Sequence, residues 1–154
     1  MQQIEAYLSQ QSLQQAKQHA ATAANNGLEA MGLLAGQVRE WQGEKYVIVD
    51  QYITGGNAST SVSVKFSDAA FPKLAAQVNA SRRKGGILVG WCHSHPNYGC
   101  FLSSMDVATQ KKYFAEDFNI AVVLDPVRNE KQVFKLAQGP SAYRKASYAV
   151  IQKR

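Results

Sequence analysis

Residues 87–95 read Ile-Leu-Val-Gly-Trp-Cys-His-Ser-His and stop at Pro96. The run is apolar on both faces until its end, so it reads as a central strand that needs cover on both sides. Pro96 has no N–H to give a ladder and terminates it. A chain built around such a strand needs a sheet with layers packed against it. At 154 residues, 45% of them apolar, there is enough chain for that. A domain of this size buries roughly 68–70% of its unfolded surface. A single domain over residues 1–154 is the expectation.

The flanking segments supply the layers. Residues 4–8 suggest a short edge strand. Ser9 is a good N-cap, and Leu13, Ala16, Ala20 and Ala23 recur at helical spacing up to the stop at Asn25-Asn26-Gly27. Residues 28–40 and 46–53 read as strands joined at Gly43. After a Gly/Asn/Ser loop over 54–60, residues 61–66 alternate as a half-buried strand. A helix over 69–83 ends in Arg82-Arg83-Lys84, which complement its dipole, and stops at Gly85-Gly86. Ser103 opens a helix to about residue 117; 119–124 and 132–137 read as strands, and 141–152 as a C-terminal helix. The fold class is α/β or α+β, a mixed central sheet flanked by helices.

The chemistry gathers at the end of the central strand. Residues i and i+2 of a strand share a face, so His93 and His95 present two imidazoles side by side where Pro96 ends the strand. Asp106 falls in the first turn of the next helix, within reach across a seven-residue loop. Two histidines and a carboxylate make a three-ligand set for zinc that leaves the fourth position to water, the arrangement of a catalytic rather than a structural site. A base would be needed. Glu29 qualifies because strand alternation places it with Met31, Leu33 and Ala35, and a carboxylate on an apolar face is costly unless paired or working. Gly32 and Gly36 fall on the opposite face, where they would let a helix approach.

Plainer readings stand beside each of these. An isolated His-x-His is more often a satisfied pair than a ligand pair. Ser103-x-x-Asp106 is by itself a capping box. Glu29 alone is a solvated first residue of a strand. Other zinc signatures are missing: there is no His-Glu-x-x-His, and no Pro-Cys-x-x-Cys with His-x-Glu. No Gly-x-Ser-x-Gly offers a nucleophile. Cys92 faces away from the histidines by alternation and reads as core, and Cys100 as a loop residue.

Taken together these residues resemble the JAMM (MPN+) metalloprotease family, the JAB/MPN domain. That pattern is an upstream Glu, then His-x-His, seven residues opened by Pro, Ser, two residues and Asp. Here it is Glu29, His93, His95, Pro96, Ser103 and Asp106. The strand Glu-Ala-Met-Gly-Leu-Leu-Ala-Gly is similar to the family's Glu-x-x-Gly-x-Leu-x-Gly. Gly90 to Pro96, Tyr98 to Ser103 and Val122 to Pro126 look like the branch of the proteasome-lid deubiquitinase and the signalosome deneddylase. The resemblance spans roughly residues 28–137.

It implies zinc held by His93, His95 and Asp106, Glu29 as general base and proton shuttle, and Ser103 as donor to the developing oxyanion. The implied reaction is hydrolysis of the isopeptide bond between the C-terminal Gly of ubiquitin or a ubiquitin-like modifier and a lysine amine. The substrate tail would add as a strand along part of residues 54–86. The family's sites can be blocked by a loop until an activating partner such as the proteasome binds, and the 54–60 and 97–102 loops could serve so. Cys92 departs from the aromatic residue usual before the first ligand. A short 127–131 turn and little chain after Gln152 make a stand-alone, archaeal-type enzyme the simpler expectation.

Three competing functions remain. One is a peptidase that trims the C-terminus of a ubiquitin-like modifier or sulfur carrier. Another is a non-catalytic MPN binding module, against which the intact set of residues argues. The third is a nucleic-acid binder resting on the +6 charge, but the basic residues are scattered apart from 82–84. No apolar stretch approaches the roughly 18 residues of a membrane span. Two cysteines without a framework and no signal pattern suggest a cytoplasmic, reducing location.

Overall fold

The computed structural model of the chain describes residues 3–54, 58–59, 76, 80 and 86–152. Its strands are β1 (Ala6–Ser9), β2 (Glu29–Trp41), β3 (Glu44–Ile53), β4 (Ala58–Ser59), β5 (Ile87–Ser94), β6 (Ile120–Asp125), β7 (Glu130–Leu136), β8 (Tyr143–Lys145) and β9 (Tyr148–Ile151). Helix α1 (Gln10–Asn25) follows β1, and α2 (Ser104–Tyr113) lies between β5 and β6. The expected strand over 61–66, and the helix over 69–83 apart from Ala76 and Ala80, lie outside the described residues.

The strands make one mixed sheet in the order β8-β7-β6-β5-β2-β3-β1-β9, with β4 pairing the start of β2. β5 sits between antiparallel β2 and parallel β6, in the central position its two apolar faces require. Alternation then sorts the core into two layers. Cys92, Ile120, Val122, Leu124, Ala30 and Leu34 face α1, which contributes Leu13, Ala16, Ala20 and Ala23. Trp91, Ala121, Val123, Met31, Leu33 and Ala35 face the other way, with Leu102 and Phe114 from either end of α2. The α+β architecture expected from the sequence is the one that forms.

The ends of α1 follow local chemistry. The Ser9 hydroxyl accepts the Ser12 N–H at 3.1 Å, satisfying one of the helix's orphan donors. Gly27 follows the C-cap Asn26 at φ +69°, a conformation glycine takes at little cost.

Four expectations need correction. β1 is an interior strand, parallel to both β3 and β9. Gly32 makes room for the Tyr52 ring rather than for a helix, and Gly36 for the backbone carbonyl of Ile48 beside a bulge in the β2–β3 ladder. α2 ends at Tyr113, because Phe114 turns into the core and stacks on Trp91 with centroids 5.8 Å apart.

The fourth is the C-terminal segment, which forms β8 and β9 instead of a helix. Ala142 takes φ +66°, which a helix cannot pass through, and the outer edge of β1 offers Tyr148 to Ile151 a ladder. Glu5 closes the seam: its carboxylate takes Arg144 at 2.5 and 3.0 Å and the Ser147 N–H at 3.0 Å. Because that ties β8, at one end of the strand order, to β1 near the other, the sheet is curled.

Candidate metal centre and active site

The end of β5 and the first turn of α2 build the centre. Along β5, His93 follows Trp91 on the α2 face and His95 follows His93. The Trp91 indole stacks on the His93 imidazole at 4.3 Å and 19°, and Trp91 Nε1 donates to the buried Gln110. His93 is therefore fixed from behind. Ser94 points the other way, and its hydroxyl accepts the Ala30 N–H at 2.8 Å. That bond ties β5 to β2 one residue from Glu29.

α2 delivers Asp106 through its N-terminal cap. Ser103 Oγ accepts the Asp106 N–H at 3.1 Å, and Asp106 Oδ2 accepts the Ser103 N–H at 2.9 Å. The box pins the carboxylate so that both His93 Nε2 and His95 Nε2 lie 3.1 Å from the same Oδ2. The capping reading and the ligand reading of Asp106 thus describe one geometry. Because Ser103 Oγ is an acceptor in the cap, its own proton stays free to donate.

Does this cluster suit a metal? One ligand atom from each of His93, His95 and Asp106 lies within 4.8 Å of the others, and all three residues are buried. Among the described residues, the buried His93 Nδ1 has no hydrogen-bond partner, and Nε2 has only the Asp106 carboxylate beside it, as an ion-pair contact at 3.1 Å, which is unusual for a buried polar group. Burial holds the His93 pKa below its ordinary value despite Asp106, so the ring is a neutral lone-pair donor. Burial opposes charge on His95 as well, but the Asp106 carboxylate outweighs it and raises that pKa. Burial would also raise Asp106; the two imidazoles and the Ser103 N–H reverse this and leave it firmly ionised. Two imidazoles and a carboxylate converging in a buried site fit a bound cation, and N/O donors of this kind suit zinc.

Glu29 opens β2 on the face of Met31 and Leu33, and Met31 pairs with His93 across the ladder. The side chain is 6% exposed. Desolvation pushes its pKa up to about 7; the positive His95 pulls it down and the negative Asp106 adds to the rise. A carboxyl that titrates near neutrality beside two candidate ligands is suited to moving a proton. Tyr98 and Phe101 are exposed beside the centre, their rings 6.4 and 4.8 Å from that of His95. Cys92 lies in the α1-side core as alternation requires, and Cys100 Sγ donates to the Val123 carbonyl at 3.4 Å.

Residues 3–118 match the family described as JAB1/Mov34/MPN/PAD-1 ubiquitin protease. The chain belongs to this family. It is 37% identical over 107 residues to the 26S proteasome regulatory subunit RPN11 of Candida glabrata, covering 68% of this chain and 33% of that protein. The COP9 signalosome complex subunit 5 of Drosophila melanogaster is 36% identical over 105 residues, 66% of this chain and 31% of the relative. The ubiquitin carboxyl-terminal hydrolase RPN11 of Saccharomyces cerevisiae is 36% identical over 107 residues, 68% and 33%. The chain thus spans about a third of the length of these relatives. The solution structure of protein DSY2949 from Desulfitobacterium hafniense shares the JAB/MPN chain's fold, with a TM-score of 0.62 at 17% identity over 96% of this chain and 94% of that one.

In the sequence Trp91, Ser94 and Asp125 stand within the family-like segments without a role of their own, and Gln110 outside them; all four pack around the JAB/MPN centre. Ser94 and Asp125 carried a signal: a hydroxyl between two candidate ligands, and an Asp-Pro pair ending a strand opposite them.

Proposed function

We propose that this protein is a zinc-dependent isopeptidase that cleaves conjugates of ubiquitin or a ubiquitin-like modifier between the modifier's C-terminal Gly and a substrate lysine. The observation that carries this is the buried convergence of His93, His95 and Asp106, with Glu29 on the same face. The relatives' printed functions, a ubiquitin hydrolase and subunits of the proteasome and the signalosome, point the same way.

On this reading His93, His95 and Asp106 hold the ion. Zinc supplies Lewis acidity and a water that ionises near pH 7. Glu29 takes a proton from the attacking water as the C–O bond forms, then passes it to the lysine amine as the C–N bond breaks. A positioned base of this kind contributes about 10²–10⁴-fold. The Ser103 hydroxyl donates to the carbonyl oxygen on which negative charge develops, worth about 10²–10³-fold. Trp91 and the capping box keep His93 and Asp106 in place while this happens. The exposed Tyr98 and Phe101 beside His95 offer the modifier's tail a surface, and proteasome-like assemblies are candidate activating partners. Cys92 and Cys100 are free thiols, consistent with a proposed cytoplasmic location.

The test is cleavage of a ubiquitin-like protein joined by isopeptide to lysine, with and without chelator, beside Glu29→Gln. Chelator-sensitive cleavage that falls at least about 10²-fold in Glu29→Gln with zinc content unchanged is expected. Cleavage indifferent to chelator, or intact in Glu29→Gln, refutes the reading. Preference for a linear fusion would move the substrate to a main-chain peptide.

A further inference from the structure

Asp125 ends β6 with only 1% of its surface exposed. Its carboxylate accepts four backbone N–H groups. Oδ1 takes those of Asn97 at 2.9 Å, Val127 at 3.0 Å and Arg128 at 3.0 Å. Oδ2 takes that of Gly99 at 2.8 Å. Asn97 and Gly99 have φ +67° and +84°, so no strand or helix ladder serves the turn between them. A buried carboxylate supplies the acceptors instead, through charge-assisted bonds that are about twice as strong as neutral ones. The Arg128 guanidinium lies over the arrangement, its Nε 3.6 Å from Asp125 Oδ2 and 3.3 Å from Asn97 Oδ1.

This turn directly follows His95. The Gly99 carbonyl faces His95 Nδ1 at 3.3 Å, and the Tyr98 N–H returns to the His95 carbonyl at 3.2 Å. With Nδ1 turned to the Gly99 carbonyl, Nε2, the nitrogen on the Asp106 side, is the one placed to meet a metal. The partner of the outer nitrogen sets the tautomer and ring orientation of a metal-binding histidine.

We infer that Asp125 is a positioning residue for the metal centre: it fixes the 97–99 turn whose Gly99 carbonyl orients His95. The inference rests on the proposed metal-dependent function for its purpose, and on the hydrogen bonds above for its geometry. Asp125 touches neither ligand nor substrate; it acts through Gly99.

The decisive variant is Asp125→Asn in the full chain. Asn keeps one carbonyl oxygen but sets an NH₂ donor among backbone donors, so the turn loses an anchor. Asn119→Ala is the control. Its amide holds the Val89 carbonyl and the Glu116 N–H at 3.0 Å each, at the opposite end of β6, so it lowers stability without touching the turn. Zinc affinity is read by competition with a chromophoric chelator, and the setting of the His95 ring by its Cδ2–Hδ2 NMR shifts in the zinc-free protein. Asp125→Asn is expected to bind zinc about 10–100-fold more weakly and to shift the His95 ring signals away from their wild-type positions. Asn119→Ala should match wild type in both. Wild-type zinc affinity in Asp125→Asn, or a loss no larger than in Asn119→Ala, overturns the inference. If the wild type takes up no zinc, the metal reading fails separately, and unchanged His95 ring shifts in Asp125→Asn still overturn the positioning role. Should Asp125→Asn not fold, Gly99→Ala disturbs the same turn, since a Cβ there meets Arg128 Nη1 at 3.2 Å in a strained backbone. Wild-type His95 ring shifts and zinc affinity in that variant are equally fatal.

Discussion

Glu29 should make the metal-free protein less stable than it could be, and Glu29→Gln should show by how much. Burial raises the carboxyl from its ordinary 4.5 to about 7 in the folded chain, whereas in the unfolded chain it ionises at its ordinary value. Between those two pH values the unfolded state binds fewer protons than the folded state, so stability falls as pH rises through the window. Fully developed, a shift of this size corresponds to about 3 kcal/mol. Relaxation of the site around the charged carboxylate trims the figure to about 2 kcal/mol. Gln has nearly the shape of the neutral acid and never ionises. The variant should therefore exceed wild type by about 2 kcal/mol at pH 8 and by under about 1 kcal/mol at pH 5. Urea unfolding in excess chelator at the two pH values measures both, and a rise in Tm of about 4–8 °C at pH 8 accompanies it. An advantage that does not grow with pH would refute the claim that desolvation controls this carboxyl. The same substitution should abolish cleavage, which is the expected trade between stability and activity at a working residue.

His95→Ala and Asp106→Ala should each lower zinc per chain in purified protein, and full retention in both would show that the ligands lie elsewhere. Gly36→Ala places a Cβ against the Ile48 carbonyl and should cost about 1–3 kcal/mol in chemical denaturation; wild-type stability would mean that the bulge opens freely. Ser103→Ala removes the α2 cap and the free hydroxyl together. It should cost about 1 kcal/mol of stability and about 10²-fold or more in cleavage, and an activity loss no larger than the stability change explains would leave Ser103 with the cap alone.

The site was legible because it is local. His93 and His95 meet by strand alternation and Asp106 arrives by a capping box, while Glu29, by itself a plain strand start, gained its role only from the family pattern around it. None of these needs a distant partner to be recognised. The misread elements all depend on distant partners. β1 looked like an edge because parallel pairing with β3 and β9 leaves no mark on five residues. The segment over 141–152 has Ala, Lys and Arg enough for a helix, yet the open side of β1 and the Glu5 carboxylate claim it for strands. Gly32 and Gly36 were rightly seen as close contacts, but what approaches, a Tyr52 ring and a carbonyl, is fixed by the register with β3. Asp125 stands in a family-like segment, but its contacts were not legible because its four donors come from two separate turns.

The seam at β1 sets an order of assembly. Glu5 and Ser147 stand 142 positions apart, whereas His95 and Asp106 stand 11 apart. Closing a long loop costs more entropy than closing a short one, and chains dominated by such closures fold in milliseconds to seconds rather than microseconds. The ligand-bearing hairpin of β5 and α2 can therefore gather early, while β1 waits with one side unpaired. During that interval its bare edge is a template for another chain. Refolding yield should then depend on protein concentration more than on zinc, because the hazardous surface lies at the slow seam and not at the quickly formed centre.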